Sequence, residues 1–394
     1  MGKTPRMRHS VDRAMERKVK ITPEQLLARY SDPEIPVRVR TTRDIDPLGY
    51  AAAMAPAFVH REHGDLKAES IILRNVNHGG NPVEGFTTLC SVRVSISGLK
   101  GVEFVLVPLD RTIRGGTFHH AQLRFIFKDE GSLRLLGVAA DEKGSDNRLG
   151  DLVLSWEAWR APGAGFSVLT GLDSTAYDLC LRAYSGPQRF LEDALGRKDW
   201  YCYPLVLPGG TAGPAELFRV VLALGDGLAR ATVARRLQEL SDASPSWESL
   251  QHVAAAGEED DALELPPGQL QTYNTLLRSC GTMALYSITV TLDRLRQAGH
   301  SDGVEWEKVP RSSFDQEEPW MKEAANADIG GLAKVAPRAL RYFIGHPASL
   351  PGRIPGLLKN AGILLRNGEG DVVRHHYSLQ RTTPYGKLSG NLIR

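Results

Sequence analysis

Ser91-Val92-Arg93-Val94-Ser95-Ile96-Ser97 alternates apolar and polar side chains without a break, and after Gly98 the apolar run Val102-Glu103-Phe104-Val105-Leu106-Val107 follows. Alternation at period two places one row of side chains in a core and the other in water, so this stretch reads as two strands joined by a short turn. Working outward, Ser70 to Val76, Leu123 to Phe127, Leu133 to Ala139 and Leu152 to Trp156 are further strand candidates, separated by Gly, Asp and Asn clusters. Strands this closely spaced leave no room for crossover helices, which predicts an antiparallel sandwich or barrel-like arrangement. Trp200 to Leu207 adds one more strand, closed by Pro208-Gly209-Gly210.

Past residue 213 the period becomes helical. Pro214 stands where the first helical position would be, and Leu217, Phe218, Val221, Leu222, Leu228, Val233 and Leu237 mark an apolar face. Gly225 and Gly227 interrupt it, predicting one broken helix or two short ones. The acidic Glu258-Glu259-Asp260-Asp261, ending in Pro266-Pro267-Gly268, reads as an exposed linker. Tyr273, Leu276, Leu277, Cys280, Met283, Ala284, Ile288, Leu292 and Leu295 then recur at three and four, a helix stopping near Gly299. Pro337, Pro347, Pro351 and Pro355 limit any helix beyond Lys334 to short pieces. At the other end, Thr22, Pro23 and Gln25 form a capping-box pattern before a short helix that Pro33 and Pro36 end.

The expected class is therefore α+β, an antiparallel β-rich region followed by a mainly helical one. Its divisions are a basic mobile arm (1–20), a short helix and linker (21–44), a β-rich domain (45–210), a helical domain (211–333) and a basic tail with prolines and aromatics (334–394).

Charge is sorted along this order. Residues 1–20 carry seven Lys or Arg against two acidic residues, +5, and residues 334–394 carry ten against two, +8. The whole chain is +2, which leaves −11 between them. Basic ends on an acidic middle point to a polyanion or to an oppositely charged surface as partner. With 42% hydrophobic and 24% charged residues the chain is neither disordered throughout nor of membrane type. No apolar run reaches the roughly 20 residues of a membrane span. The N-terminus lacks the apolar core of a secretory signal, and Cys90, Cys180, Cys202 and Cys280 are scattered, so free buried thiols and an intracellular, cytoplasmic setting are expected.

The P-loop, the Rossmann glycine fingerprint, the HExxH zinc helix and the GxSxG elbow are all absent. No cofactor is expected. His60, His63 and Asp65 could meet one metal if helical, but Arg61, Glu62 and Gly64 around them read as an exposed turn. Asp110 ends an apolar strand, and His119 and His120 follow Gly115-Gly116; an Asp facing a His across a glycine turn is an acid and base geometry. Adjacent strand residues point to opposite faces, so one histidine of the two can face Asp110. Arg374-His375-His376-Tyr377, with Arg381, Tyr385 and Lys387, interleaves cations with rings, as in proteins that hold single-stranded nucleic acid by phosphate contact and base stacking. Arg6, Arg8, Arg17, Lys18 and Lys20 of the arm suit the same partner.

The run Gly101-Val102-Glu103-Phe104-Val105-Leu106-Val107-Pro108-Leu109-Asp110-Arg111 resembles the core strand of the plant-virus cell-to-cell movement protein superfamily. The resemblance covers about a dozen residues, with extra residues before the Asp. It implies a β-rich domain that transports nucleic acid, with Asp110 structural. The residues themselves favour binding over catalysis: a non-enzymatic nucleic-acid-associated or self-assembling structural protein, whose copies meet as homo-oligomers through basic ends and acidic middle. The alternatives are an enzyme at Asp110 and His119/His120 and the movement-type transport protein.

Overall fold

The computed structural model describes residues 37–40, 59–61, 70–81, 86–113, 116–127, 132–136, 150–158, 177–184, 200–241, 279–310, 334, 337–338 and 350–377. The fold is α+β. Eleven strands share one sheet: β1 Val37–Arg40, β2 Val59–Arg61, β3 Ser70–Asn81, β4 Phe86–Ser95, β5 Leu99–Ile113, β6 Gly116–Phe127, β7 Leu133–Leu135, β8 Asp151–Ala158, β9 Tyr177–Tyr184, β10 Trp200–Pro204 and β11 His375–Tyr377. Their order is β1-β4-β3-β9-β8-β6-β5-β10-β11, with β2 on β3 and β7 on β4. Every junction is antiparallel except β3 with β9, which meet in parallel at Asn77 and Arg182.

Chain connectivity bends this sheet back on itself. β4 and β5 are five steps apart in the strand order, about 24 Å in a flat sheet. Yet only the 3-10 turn Ile96–Gly98 joins them, a link of about 14 Å at full stretch. The sheet must curl until its two regions meet, which is the barrel-like geometry expected of closely spaced strands. A seam of backbone bonds closes the corner, Ser95 N–H donating to Ser132 O at 2.7 Å and Leu136 N–H to Ser91 O at 2.9 Å. Gly98 is required at this corner. A Cβ there would lie 1.9 Å from Ser132 Oγ.

One face of the central strands is apolar. Val102, Phe104 and Leu106 of β5 stand opposite Phe125, Leu123 and Ala121 of β6, and Leu123 and Phe125 stand opposite Leu154 and Leu152 of β8. On this face lie α1, Ala212–Ser241, and α2, Cys280–Gln297. Phe218 meets Phe125 edge-on at 5.0 Å, and the Ala121 N–H donates to Cys280 Sγ at 3.3 Å. The turn Pro351–Arg353 and helix α3, Ile354–Asn360, then bring Ile354, Leu358, Ile363 and Leu364 into the same apolar cluster. This packing runs across the boundaries expected near residues 210 and 333.

The structure differs from the sequence expectations in several places. α1 is one continuous helix through Gly225 and Gly227, not a broken one. Each glycine costs about 1 kcal/mol in a helix, but burying Leu217, Phe218, Val221, Leu222, Leu224 and Leu228 returns about 1.5–3 kcal/mol per side chain. Packing therefore overrides propensity. β7 stops at Leu135 instead of Ala139, and Ile96 and Ser97 belong to the corner turn instead of a strand. β1, β2, β9 and β11 were not anticipated; β2 puts Arg61, expected in an exposed turn, in a strand opposite Ile71 of β3. The residues before Ser279 in the helix predicted from Tyr273 lie outside the described ones, as do the segment from Thr22 to Pro36 and the acidic linker. Cys202 and Cys280 are buried and, among the described residues, form no disulfide.

Candidate nucleic-acid interface

β11 converts part of the basic tail into the outer margin of the sheet. Its register on β10 sets Tyr377 opposite Trp200, His376 opposite Tyr201 and His375 opposite Cys202. Side chains alternate across a strand, so Arg374 falls level with Tyr203 and on the same face as Tyr201. The contacts agree. The Arg374 guanidinium lies 5.4 Å from the centre of the Tyr201 ring, a cation–aromatic distance. Burial pushes the Tyr203 phenol above its ordinary value, and Arg374 works against that. Arg374 is exposed while the two rings are half-buried, so the margin presents a cation over flat aromatic surface.

The opposite face of the same strands carries a buried charge cluster. Glu103 and Arg124 are register partners on β5 and β6, and Asp151 at the start of β8 lies diagonally from Arg124. Arg124 donates to Glu103 Oε2 at 2.8 Å and to Asp151 Oδ2 at 2.9 Å, with all three side chains at most 5% exposed. Burial opposes the Arg124 charge, but Asp151 and Glu103 together outweigh it and hold the guanidinium above its ordinary value. For Asp151 burial is the larger effect, raising the carboxyl against the pull of Arg124. His375 Nδ1 completes the chain at 3.2 Å from Glu103 Oε1. The cluster thereby ties β11 to the centre of the sheet. Cys202 lies beside it, and burial pushes its thiol well up, which keeps it a neutral thiol and a poor nucleophile.

The other sequence candidates are dispersed. His119 and His120 are half-buried on β6, opposite Pro108 and Val107. The turn Pro351–Arg353 sits against the first: a Cβ on Gly352 would come 3.1 Å from His119 Nδ1. Asp110 lies in β5 where the register slips between Pro108 and Thr112, and its side chain lies outside the described residues. His60 is in β2 opposite Ile72, while His63 and Asp65 lie outside the described residues. Among the described residues no three His, Cys, Asp or Glu side chains converge as a metal site. Arg381, Tyr385 and Lys387, and Arg6, Arg8, Arg17, Lys18 and Lys20, also lie outside them.

Sequence reasoning missed Tyr201 and Tyr203 as ring partners of Arg374, and missed the buried cluster entirely. A signal existed for the second. Glu103 interrupts an apolar strand, and Arg124 interrupts Leu123-Arg124-Phe125-Ile126-Phe127 one hairpin later. Among the described residues no helix is long and apolar enough to cross a membrane. No family model, curated protein or solved structure matches this chain, so the likeness of residues 101–111 to movement proteins rests on those residues alone.

Proposed function

We propose that this chain is a nucleic-acid-associated protein of binding rather than catalytic type, whose contact surface is the β10–β11 margin continued by the basic tail. The supporting observation is Arg374, an exposed guanidinium held over the Tyr201 ring and beside Tyr203 at the point where the basic tail joins the sheet. A cation for phosphate beside rings for bases is the combination that sequence-tolerant single-strand binding uses. The buried chain from His375 through Glu103 to Arg124 supports the reading, because it keeps the strand that carries these groups in one register. The acid–base alternative at Asp110 and His119/His120 has less support, since the turn Pro351–Arg353 packs against His119.

Fluorescence anisotropy of a labelled single-stranded oligonucleotide, titrated at several salt concentrations, tests the proposal. Replacing Arg374, Arg381 and Lys387 together by Ala should lower the salt slope by up to about three units. Tyr201→Ala should weaken binding by about 1–3 kcal/mol while leaving the salt slope in place, because stacking releases no counterions. Wild-type protein that does not bind the oligonucleotide, or a slope unmoved by the triple change, would end this reading.

The charge distribution favours a second reading, self-association through basic ends against the acidic middle. Its signature is an oligomer that dissociates as salt rises, read by sedimentation velocity.

A further inference from the structure

Arg374 is held from both sides. Before it, the Val373 N–H donates to Leu365 O at 2.8 Å, and Leu365 N–H donates in turn to Pro204 O at 3.0 Å. After it, His375 opens β11, a strand with three register pairs on β10. So short an outer strand has little backbone pairing of its own, and side-chain contacts decide how firmly it docks. The contact that crosses from β11 into the sheet is polar. Glu103 Oε2 takes a hydrogen bond from Arg124 at 2.8 Å, while its Oε1 lies 3.2 Å from His375 Nδ1. A carboxylate oxygen accepts, so Nδ1 donates in this contact. Arg124 is shared with Asp151 at 2.9 Å, and the His375 donor serves the Glu103 oxygen on the other side from Arg124. The Glu103 side chain is 5% exposed and that of His375 34%, so the contact spans the boundary between core and water. Releasing β11 takes this donor away from a buried carboxylate oxygen, which opposes release.

We propose that His375 is the positioning residue of the β10–β11 margin: through Glu103 it sets the balance between β11 docked, with Arg374 over Tyr201, and β11 released. The proposal rests on the nucleic-acid reading of that margin and names how the same site is regulated. Single-stranded nucleic acid selects the docked form, in which cation and ring stand together. Binding therefore draws the strand onto the sheet, and docking raises affinity by the same factor. Apparent affinity scales with the docked fraction, so a fraction lowered to about one in ten weakens binding about tenfold. His375 acts here through Glu103 and makes no contact with the nucleic acid.

The test uses full-length protein carrying His375→Leu, His375→Asn or Arg374→Ala, read by hydrogen exchange and by anisotropy of the same labelled single-stranded oligonucleotide across salt. His375→Leu should speed exchange in β11 and leave β5 and β6 as they were. It should weaken binding about tenfold at an unchanged salt slope, since no Lys or Arg is lost. His375→Asn, whose amide places a donor near the Nδ1 position, should restore both. Arg374→Ala should instead lower the slope by about one unit without changing exchange in β11. In the wild-type protein, added oligonucleotide should slow exchange in β11. Unaltered affinity in His375→Leu, alongside a response to Arg374→Ala, overturns the positioning role while the margin reading stands. Loosening that spreads to β5 and β6, the mark of a merely structural residue, also overturns it, as does failure of His375→Asn to restore binding. Wild-type protein that does not bind the oligonucleotide overturns both readings together.

Discussion

Arg124 shows how much a single buried charge can determine. It sits between two carboxylates on a face of the sheet that admits almost no solvent, and its charge works against the burial that raises the Asp151 carboxyl. Arg124→Ala should cost about 3–5 kcal/mol, read by urea unfolding, because the change strands two buried acids instead of merely deleting a pair. A loss below about 1 kcal/mol, the range of exposed ion pairs, would show that water reaches the cluster. The same residue explains what a one-dimensional reading could and could not see. Glu103 and Arg124 were visible as polar interruptions of apolar runs, but pairing them requires the β5–β6 register. His375 lies 272 positions from Glu103, a separation no local pattern spans. Arg374 and His376 became candidates because composition alone marks a basic aromatic tail. Tyr201 and Tyr203 were not, because their role appears only when β11 docks.

At the scale of elements, strands announced themselves by alternation and helices by spacing, and tertiary packing adjusted their limits. The alternation of 91–97 located β4 correctly, while its final residues were captured by the corner turn. β9 escaped notice because Tyr177-Asp178-Leu179-Cys180-Leu181-Arg182 alternates more weakly and stands away from the other strands. The junction of α2 with the C-terminal turn yields a sharp expectation. A Cβ at Gly281 would lie 2.8 Å from Pro351 Cγ, 2.9 Å from Ile354 Cδ1 and 3.0 Å from Pro351 Cα. Ala gains about 1 kcal/mol of helix propensity over Gly, but a proline ring and backbone cannot step aside as a flexible side chain would. Gly281→Ala should therefore lower stability by about 1–3 kcal/mol net. Hydrogen exchange should locate the loosening at residues 351–360, and a stabilised variant would refute this contact.

At the scale of the molecule, residues of the sheet and of the helices share one apolar cluster. Ile354, Leu358, Ala361 and Ile363 are fully buried in that cluster. A chain shortened to end before Pro351 should lose its cooperative thermal transition, each missing Ile or Leu side chain removing about 1.5–3 kcal/mol of burial. Survival of a sharp transition would mean that the cluster closes without the C-terminal segment. The curled sheet itself was legible only as a class, because its closure depends on which distant strands meet, and that is decided by the β4–β5 corner and by β11. The timing of synthesis follows from the same corner. β3, β4, β5 and β6 can pair as hairpins while the chain is still emerging, but β10 acquires its outer neighbour only after residue 377 has been made. Until then, the apolar face waiting for Ile354 and Leu358 stays open. The ribosome-bound chain thus spends its longest interval as a partly closed sheet, the state most exposed to chaperones and to wrong partners.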